Sequence, residues 1–112
     1  AGVDFEVKVG ERWVKIGVRS INADSAYKWK SVAYPDDRFR EESEKIPDYV
    51  VACHNDNGNV TFFGMIVKEE LLAELGKSEV KRSKANQELF RTVELERFSD
   101  EVLNRLLNDA KR

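Results

Sequence analysis

Two short segments near the start of the chain alternate strictly between apolar and polar residues, and only two residues separate them. Residues 3–9 and 12–19 place a branched or aromatic apolar side chain at every second position, which is the period of a half-buried β-strand. The intervening Gly10 and Glu11 put glycine first, as a two-residue type II′ turn requires. Turn and alternation together predict a β-hairpin.

The turn also fixes which residues face each other across this hairpin. Counting outward from Gly10 and Glu11, Val7 faces Val14 and Phe5 faces Ile16, so the apolar side chains share one face. We expect that face, with later apolar positions, to form the core. The predicted core residues are Val3, Phe5, Val7, Val14, Ile16, Val18, Val50, Ala52, Phe62 and Met65.

The rest of the chain predicts a second hairpin with helices around it. Residues 48–54 and 60–67 are apolar runs of strand length, separated by the turn-forming residues 55–59. We expect a mixed sheet of two hairpins flanked by helices, which is an α/β class. The other predicted elements are a helix from Asp24 or Ser25 toward Ala33, a helix over residues 68–75, a lysine-rich loop over residues 77–87, an edge strand over residues 92–98 and a helix after Ser99.

Length and composition narrow the class of protein. A chain of 112 residues, 41% of them hydrophobic, builds one core, so we expect residues 1–112 to form a single domain. The formal net charge of −2 gives no global attraction to nucleic acid or to a membrane. The sequence contains one cysteine and no apolar run of about 18 residues. We therefore expect a cytoplasmic location without membrane contact.

Four stretches share their spacing and apolar frame with a known enzyme superfamily. They are residues 2–7, 13–20, 48–52 and 62–71, and they resemble the paired strands and following helix of the PD-(D/E)XK nucleases. That superfamily includes restriction endonucleases and Mrr-type enzymes. The resemblance implies a restriction-endonuclease-like fold and a function in DNA metabolism.

The resemblance also assigns roles to the polar face of the first hairpin. In the superfamily, an Asp on the first strand is followed on the second strand by an acidic residue, one spacer and a Lys. Asp4 matches the first carboxylate, Gly17 the second acidic position and Arg19 the lysine. Two carboxylates would hold Mg²⁺, which polarises phosphate and generates hydroxide. Because Gly17 offers no ligand and arginine carries protons poorly, the resemblance implies either a Mg²⁺-dependent endonuclease or a weakly active or inactive relative.

Two other interpretations of this face remain open. Glu6 shares the predicted face with Asp4 and would serve as a replacement metal ligand, which makes Asp4, Glu6 and Arg19 the candidate catalytic set and the first two the metal set. Alternatively, residues 6–8 themselves match the E-x-K pattern, and the missing Asp and the first helix of the fold would precede Ala1. Against both, Asp4 with Arg19 is also typical of a cross-strand ion pair.

Basic residues form two loose clusters. One is Lys28 and Lys30, on either side of Trp29; the other is Lys77, Lys81, Arg82 and Lys84, of which the last three are candidate nucleic-acid contacts. Lysines near aromatic rings suit phosphate contact and base stacking, and solvated loop lysines are the alternative. DNA is therefore the predicted partner. A homodimer is a candidate assembly, because duplex-cutting members of the superfamily often act as symmetric pairs.

The sequence does not predict other metal or cofactor chemistry. Cys53 and His54 are consecutive on a predicted strand, so they point to opposite faces and share neither a zinc ion nor a catalytic pair. No phosphate-cradling glycine loop is present, and we expect no organic cofactor. The competing function is a non-catalytic protein-interaction or structural module that keeps the nuclease fold, since a fold does not fix a function.

Overall fold

The computed structural model of the chain describes residues 4–110, and the first hairpin has the predicted register. Strand β1 is Phe5–Val9 and strand β2 is Arg12–Ser20, with Phe5 opposite Ile16. Gly10 has a φ of +62°, which is the left-handed value that the first loop position of a type II′ turn needs. The glycine-led turn therefore determines which side chains share the polar face. Val3 lies outside the described residues.

The two predicted hairpins combine into one mixed sheet. Strand β4 is Tyr49–Asp56 and strand β5 is Asn59–Val67, and the sheet order is β1-β2-β4-β5. Strands β2 and β4 are parallel, with Gly17 opposite Val50, and the other neighbours are antiparallel. Because β2 is an inner strand, the polar face of the first hairpin, which carries Gly17 and Arg19, continues onto the neighbouring strand β4.

A second, three-stranded antiparallel sheet differs from the sequence prediction. Strands β3 (Ser31–Pro35), β6 (Lys81–Arg82) and β7 (Leu89–Glu94) have the order β3-β7-β6. The predicted lysine-rich loop thus contributes a strand, and β7 is central rather than an edge strand at 92–98.

The helix predicted toward Ala33 is wrong beyond Trp29. A π-helical segment, Asp24–Trp29, ends at Lys30, which has a left-handed φ of +52°. Strand β3 follows instead, with Val32 and Tyr34 buried at strand spacing. Pro35 also favours extended backbone in the residue before it.

Helices flank the two sheets. Helix α1 is Asp36–Glu41, α2 is Lys68–Lys77 and α3 is Asp100–Ala110. Short 3₁₀ turns occupy Ser43–Lys45 and Leu95–Arg97. The protein is an α/β fold with a mixed sheet and flanking helices. Within residues 4–110, no helix is long and apolar enough to cross a membrane.

The apolar side chains pack as two clusters on opposite faces of the four-stranded sheet. Helix α3 covers one face, where Val102 and Leu106 pack with Val14 and Met65. The other cluster joins the two sheets. Its buried members are Ile21, Ala26, Val32, Tyr34, Ile46, Val50, Ala52, Ile66, Leu71, Leu75, Val93, Leu95 and Phe98.

The core prediction is correct for half of its members and wrong for three. Val14, Ile16, Val50, Ala52 and Met65 are buried, and Val7 is half-buried. In contrast, Phe5 is 47% exposed, Val18 39% and Phe62 41%. Helix α3 packs on the end of the face that carries Val14, and these three side chains lie toward the other end. Their exposure follows from where the helix lies and not from an error of register.

The absence of a side chain at Gly64 lets the backbone of Phe98 and Ser99, just before α3, pass close to strand β5. Gly64 has a φ of +134°, and a Cβ there would lie 2.5 Å from the nitrogen of Ser99 and 2.7 Å from the carbonyl carbon of Phe98. Met65 and Ser99 exchange two backbone hydrogen bonds in this position, of 3.1 and 2.9 Å. The position therefore admits only glycine without a shift of backbone.

Candidate functional site

The predicted site residues on the polar face of the first hairpin line a small cavity. Asp4, Gly17 and Arg19 surround it together with Tyr34 and Arg38, and its volume is about 60 Å³. Asp4 sits next to Gly17 because its backbone nitrogen donates a 3.0 Å hydrogen bond to the carbonyl oxygen of Ile16. The structure thus brings together Asp4, Gly17 and Arg19, the three positions that the sequence resemblance aligns with the nuclease motif.

The carboxylate of Asp4 accepts a hydrogen bond from the backbone of β2. Its Oδ2 accepts a 2.6 Å hydrogen bond from the backbone nitrogen of Val18. Among the described residues, no ion pair within 4.0 Å joins Asp4 to Arg19. The interpretation of these two residues as a cross-strand ion pair is therefore wrong, because each has a different partner.

Arg19 reaches toward the second sheet. Its Nη2 donates a 2.8 Å hydrogen bond to the carbonyl oxygen of Ala33 in β3, and its guanidinium carbon lies 5.4 Å from the ring centroid of Tyr34. The Nε atom is buried and has no hydrogen-bond partner in the described part of the chain. Two contacts with β3 thus hold this side chain, which the sequence resemblance aligns with the superfamily's lysine.

Burial shifts the protonation equilibria of this arginine–tyrosine pair. It lowers the pKa of Arg19 below its ordinary value, an effect that nearby Tyr34 opposes. It raises the pKa of Tyr34 from the ordinary value of 10.0. The guanidinium is charged and the phenol neutral at neutral pH. The cavity therefore contains two guanidinium groups, of Arg19 and Arg38, against one carboxylate.

The residues present do not fit Mg²⁺. A protein site for this ion supplies carboxylate oxygens in near-octahedral geometry. Asp4 is the sole acid among the described residues that line the cavity, and its Oδ2 is already engaged by an amide. Two arginines oppose a cation there. Across residues 4–110, no three His, Cys, Asp or Glu side chains are grouped to hold a metal ion.

Glu6, the candidate replacement ligand, does not reach the cavity. It lies opposite Lys15 on the exposed part of the hairpin and is not among the lining residues. Lys8 lies opposite Trp13 and is also exposed. Glu6 and Lys8 thus lie on a solvated strand face.

A larger groove adjoins the cavity, and Arg19 and Tyr34 line both. The groove has a volume of about 660 Å³ and lies against the three-stranded sheet. The π-helical segment contributes Trp29 to one side, and the β6–β7 hairpin contributes Lys81 and Glu88 to the other. We call this space the Trp29 groove. It lies within the size range of pockets that hold organic ligands.

The structure brings one of the predicted phosphate-contacting residues into the Trp29 groove. That residue is Lys81, whose Nζ donates a 3.2 Å hydrogen bond to Oγ1 of Thr92. Arg82 turns back to the carbonyl oxygen of Gln87 at 2.9 Å. The remaining three, Lys28, Lys30 and Lys84, are exposed outside the groove lining. The sequence did not indicate the groove, because it exists only where β3 pairs with β7.

Cys53 and His54 have separate neighbours on the two faces of β4. The Sγ of Cys53 lies 3.7 Å from Oγ of Ser20. His54 Nδ1 lies 2.8 Å from the carbonyl oxygen of Ile21, and its ring packs edge-on against Tyr27. The predicted opposite orientation is confirmed, and neither residue contacts the Asp4 cavity.

An ionic cluster around the buried Asp36 was not indicated by the sequence. Asp36 is 2% exposed and accepts hydrogen bonds of 2.6 Å from Nε of Arg40 and from Nε of Arg91. Arg91 also donates to the carbonyl oxygens of Leu75 and Ser78, each at 3.1 Å. These bonds lower the pKa of Asp36, that of Arg91 most. Asp36 and Arg40 lie four residues apart in α1, but Arg91 comes from the distant strand β7, so no local pattern indicates the whole cluster.

Comparisons of this chain with known proteins found no match. No protein-family model matches the chain, no curated protein matches it and no solved structure matches it. The interpretation of the site therefore rests on its own geometry and on the motif that Asp4, Gly17 and Arg19 resemble.

Proposed function

We propose that the protein is a DNA-binding member of the restriction-endonuclease-like fold whose metal-dependent cleavage is weak or absent. The observation that carries this proposal is the fixed position of Arg19. Its guanidinium donates a hydrogen bond to the carbonyl oxygen of Ala33 and lies over the ring of Tyr34. In the resemblance to the superfamily, this is the position of the catalytic lysine.

The weak or absent cleavage follows from the missing ligands. Cleavage in this superfamily needs a metal ion that polarises the phosphate and generates hydroxide. Asp4 alone is a poor site for such an ion, because Gly17 adds no oxygen and Arg38 adds a second positive charge. The same positive charges favour a phosphate group over a metal ion.

The DNA-binding half of the proposal rests on the Trp29 groove. An exposed indole and a lysine line one concavity, and stacking surfaces with nearby cations are the usual elements of nucleic-acid contact. Because the net charge of the chain is −2, the attraction must be local. Arg19 and Lys81 in the groove supply that local charge, together with Arg38 in the adjoining cavity.

The binding test measures affinity for fluorescent DNA by anisotropy between about 50 and 200 mM salt. Affinity should fall steeply as salt rises. Replacing Lys81 and Lys84 together by glutamine should flatten that dependence, whereas Lys45→Gln, in the turn after α1, is the matched control. An affinity that does not change with salt concentration would contradict DNA binding.

The cleavage test incubates duplex, branched and single-stranded DNA with Mg²⁺ or Mn²⁺. We expect no cleavage, or cleavage that Asp4→Ala does not change. Cleavage that Asp4→Ala abolishes would show an active nuclease with a rearranged ligand set.

A protein-interaction module is the second candidate function, and one observation favours it. Phe5, Val18 and Phe62 are exposed on the part of the sheet face that α3 leaves uncovered, and apolar side chains grouped on a surface often mark an interface. A concentration-dependent dimer in sedimentation velocity, lost in Phe62→Ser, would favour this function if DNA binding is absent.

A further inference from the structure

We propose that the Trp29 groove binds a single strand of nucleic acid, with a base stacked on Trp29 and the backbone held by Lys81. This inference rests on the proposed DNA-binding function and specifies the form of nucleic acid. It does not involve the Asp4 cavity, which at about 60 Å³ is far smaller than the groove of about 660 Å³.

The shape of the groove selects a single strand. Proteins that recognise duplex DNA insert a helix or a β-ribbon into the grooves of the DNA. Here the recognising side chains line a concavity in the protein, so that the ligand must enter it. Bases enter such a concavity only when they are unpaired and splayed out.

Trp29 provides the stacking surface. Its side chain is 59% exposed, at the end of the π-helical segment that Lys30 terminates with a left-handed φ of +52°. This tight ending leaves the indole at the groove instead of in the core. An aromatic face accepts any base, so stacking there gives affinity without strong sequence preference.

Polar groups around the indole suit the edges of bases. The side-chain oxygen of Asn22 accepts a 2.8 Å hydrogen bond from the nitrogen of Ser25, and that of Asn86 accepts a 3.1 Å bond from the nitrogen of Glu88. Both carboxamides line the groove. Because each oxygen is used locally, the NH₂ group is the part available to the carbonyl and ring-nitrogen acceptors of a base.

Charges at the two ends of the groove suit the phosphates. Lys81 uses one hydrogen for Oγ1 of Thr92, and an ammonium has two more. Arg19 lies where the groove meets the Asp4 cavity. Glu88 is the sole acidic residue among the described lining residues, so the balance of charge favours an anionic backbone.

The sequence contains two tryptophans, which permits a matched experiment. Trp13 lies on β2, outside the groove lining, and is 60% exposed, almost the same as Trp29. The variant Trp13→Phe therefore leaves Trp29 as the only indole. We would titrate this variant with single-stranded DNA of about ten thymidines, the equivalent uridine RNA and a matched DNA duplex.

Both single-stranded oligonucleotides should quench Trp29 fluorescence, and the duplex should not. A response to DNA alone or to RNA alone also supports the inference and identifies the sugar that the groove accepts. Trp29→Ala should weaken single-strand binding about tenfold or more, whereas Trp13→Ala should change it less than about twofold. Both residues are exposed, and circular dichroism would check that both variants are folded.

Other outcomes separate this inference from the proposed function. Binding of the duplex without binding of single strands would overturn the single-strand inference and leave DNA binding intact. Single-strand binding that Trp29→Ala does not weaken would place the strand elsewhere on the protein. If neither nucleic acid binds, both proposals fail.

Discussion

Oδ2 of Asp4 lies 2.6 Å from the backbone nitrogen of Val18, one residue beyond Gly17, which the sequence resemblance aligns with the second acidic position of the nuclease motif. The bond holds the remaining carboxylate against β2, where an acidic side chain at position 17 would meet it. Two substitutions therefore restore the motif, Gly17→Glu and Arg19→Lys.

The restored protein should bind a divalent cation more tightly than the natural chain. A second carboxylate adds oxygen ligands, and lysine in place of arginine removes the anchored guanidinium beside them. Titration calorimetry with Mn²⁺ measures the change. Adding Asp4→Asn to the double variant should remove the gain, and equal Mn²⁺ affinity in all three proteins would contradict the prediction.

Replacing Gly64 should destabilise the fold more than replacing Gly10. Both residues have positive φ values, +134° and +62°, but an added Cβ at Gly64 would lie 2.5 Å from the nitrogen of Ser99, whereas nothing lies within 4 Å at Gly10. We expect about 1–2 kcal/mol from backbone conformation for Gly10→Ala. Gly64→Ala should cost about 1–3 kcal/mol more, because the crossing chain must move. Urea denaturation of both variants gives the comparison.

Truncation of Leu75 should cost much more than truncation of Phe5. Leu75 is 0% exposed, so Leu75→Ala leaves a cavity and should cost about 2–5 kcal/mol. Phe5 is 47% exposed, and the loss of its partial burial should cost about 1 kcal/mol. Similar losses in denaturant unfolding would show that a partner or second copy covers Phe5 in solution.

Asp36 should make the protein lose stability in acid. Its hydrogen bonds to Arg91 and Arg40 lower the pKa below the ordinary value of 3.8, so the folded state holds the charged form more strongly than the unfolded state does. This contribution is complete above pH 3.8 and is lost as the pH falls through the lower, folded pKa.

Asp36→Asn should therefore melt at a lower temperature than the natural protein at pH 7. The gap between the two melting temperatures should narrow as the pH falls below 3.8. Its exposed neighbour gives the control, since Asp37→Asn leaves both arginine contacts intact. A gap that stays constant with pH would contradict the assignment of this charge.

Local patterns predicted the first hairpin, and long-range contacts decided the rest. Gly10 and the alternation around it determine the pairing of β1 with β2 within a few residues of chain. The three-stranded sheet joins residues 31–35 to residues 89–94. The sequence of neither segment indicates that it pairs with the other. Its strand β3 was obscured by capping residues that favour a helix at Asp24.

The candidate site divides in the same way. The register alone predicts that Asp4 and Gly17 are neighbours. The direction of the Arg19 side chain depends on the carbonyl group of Ala33 in the other sheet, which no pattern within the hairpin indicates. The incorrect ion pair of Asp4 with Arg19 arose because only one of the two sheets was predicted.

Arg19 belongs to β2 of the four-stranded sheet and bonds Ala33 in β3 of the three-stranded sheet. Its side chain thus links the two sheets directly, at the position that the sequence resemblance aligns with a lysine. Arg19 also lines the Trp29 groove, so the side chain that links the two sheets is part of the groove surface. A substitution at position 19 therefore removes a link between the sheets and part of the groove lining together.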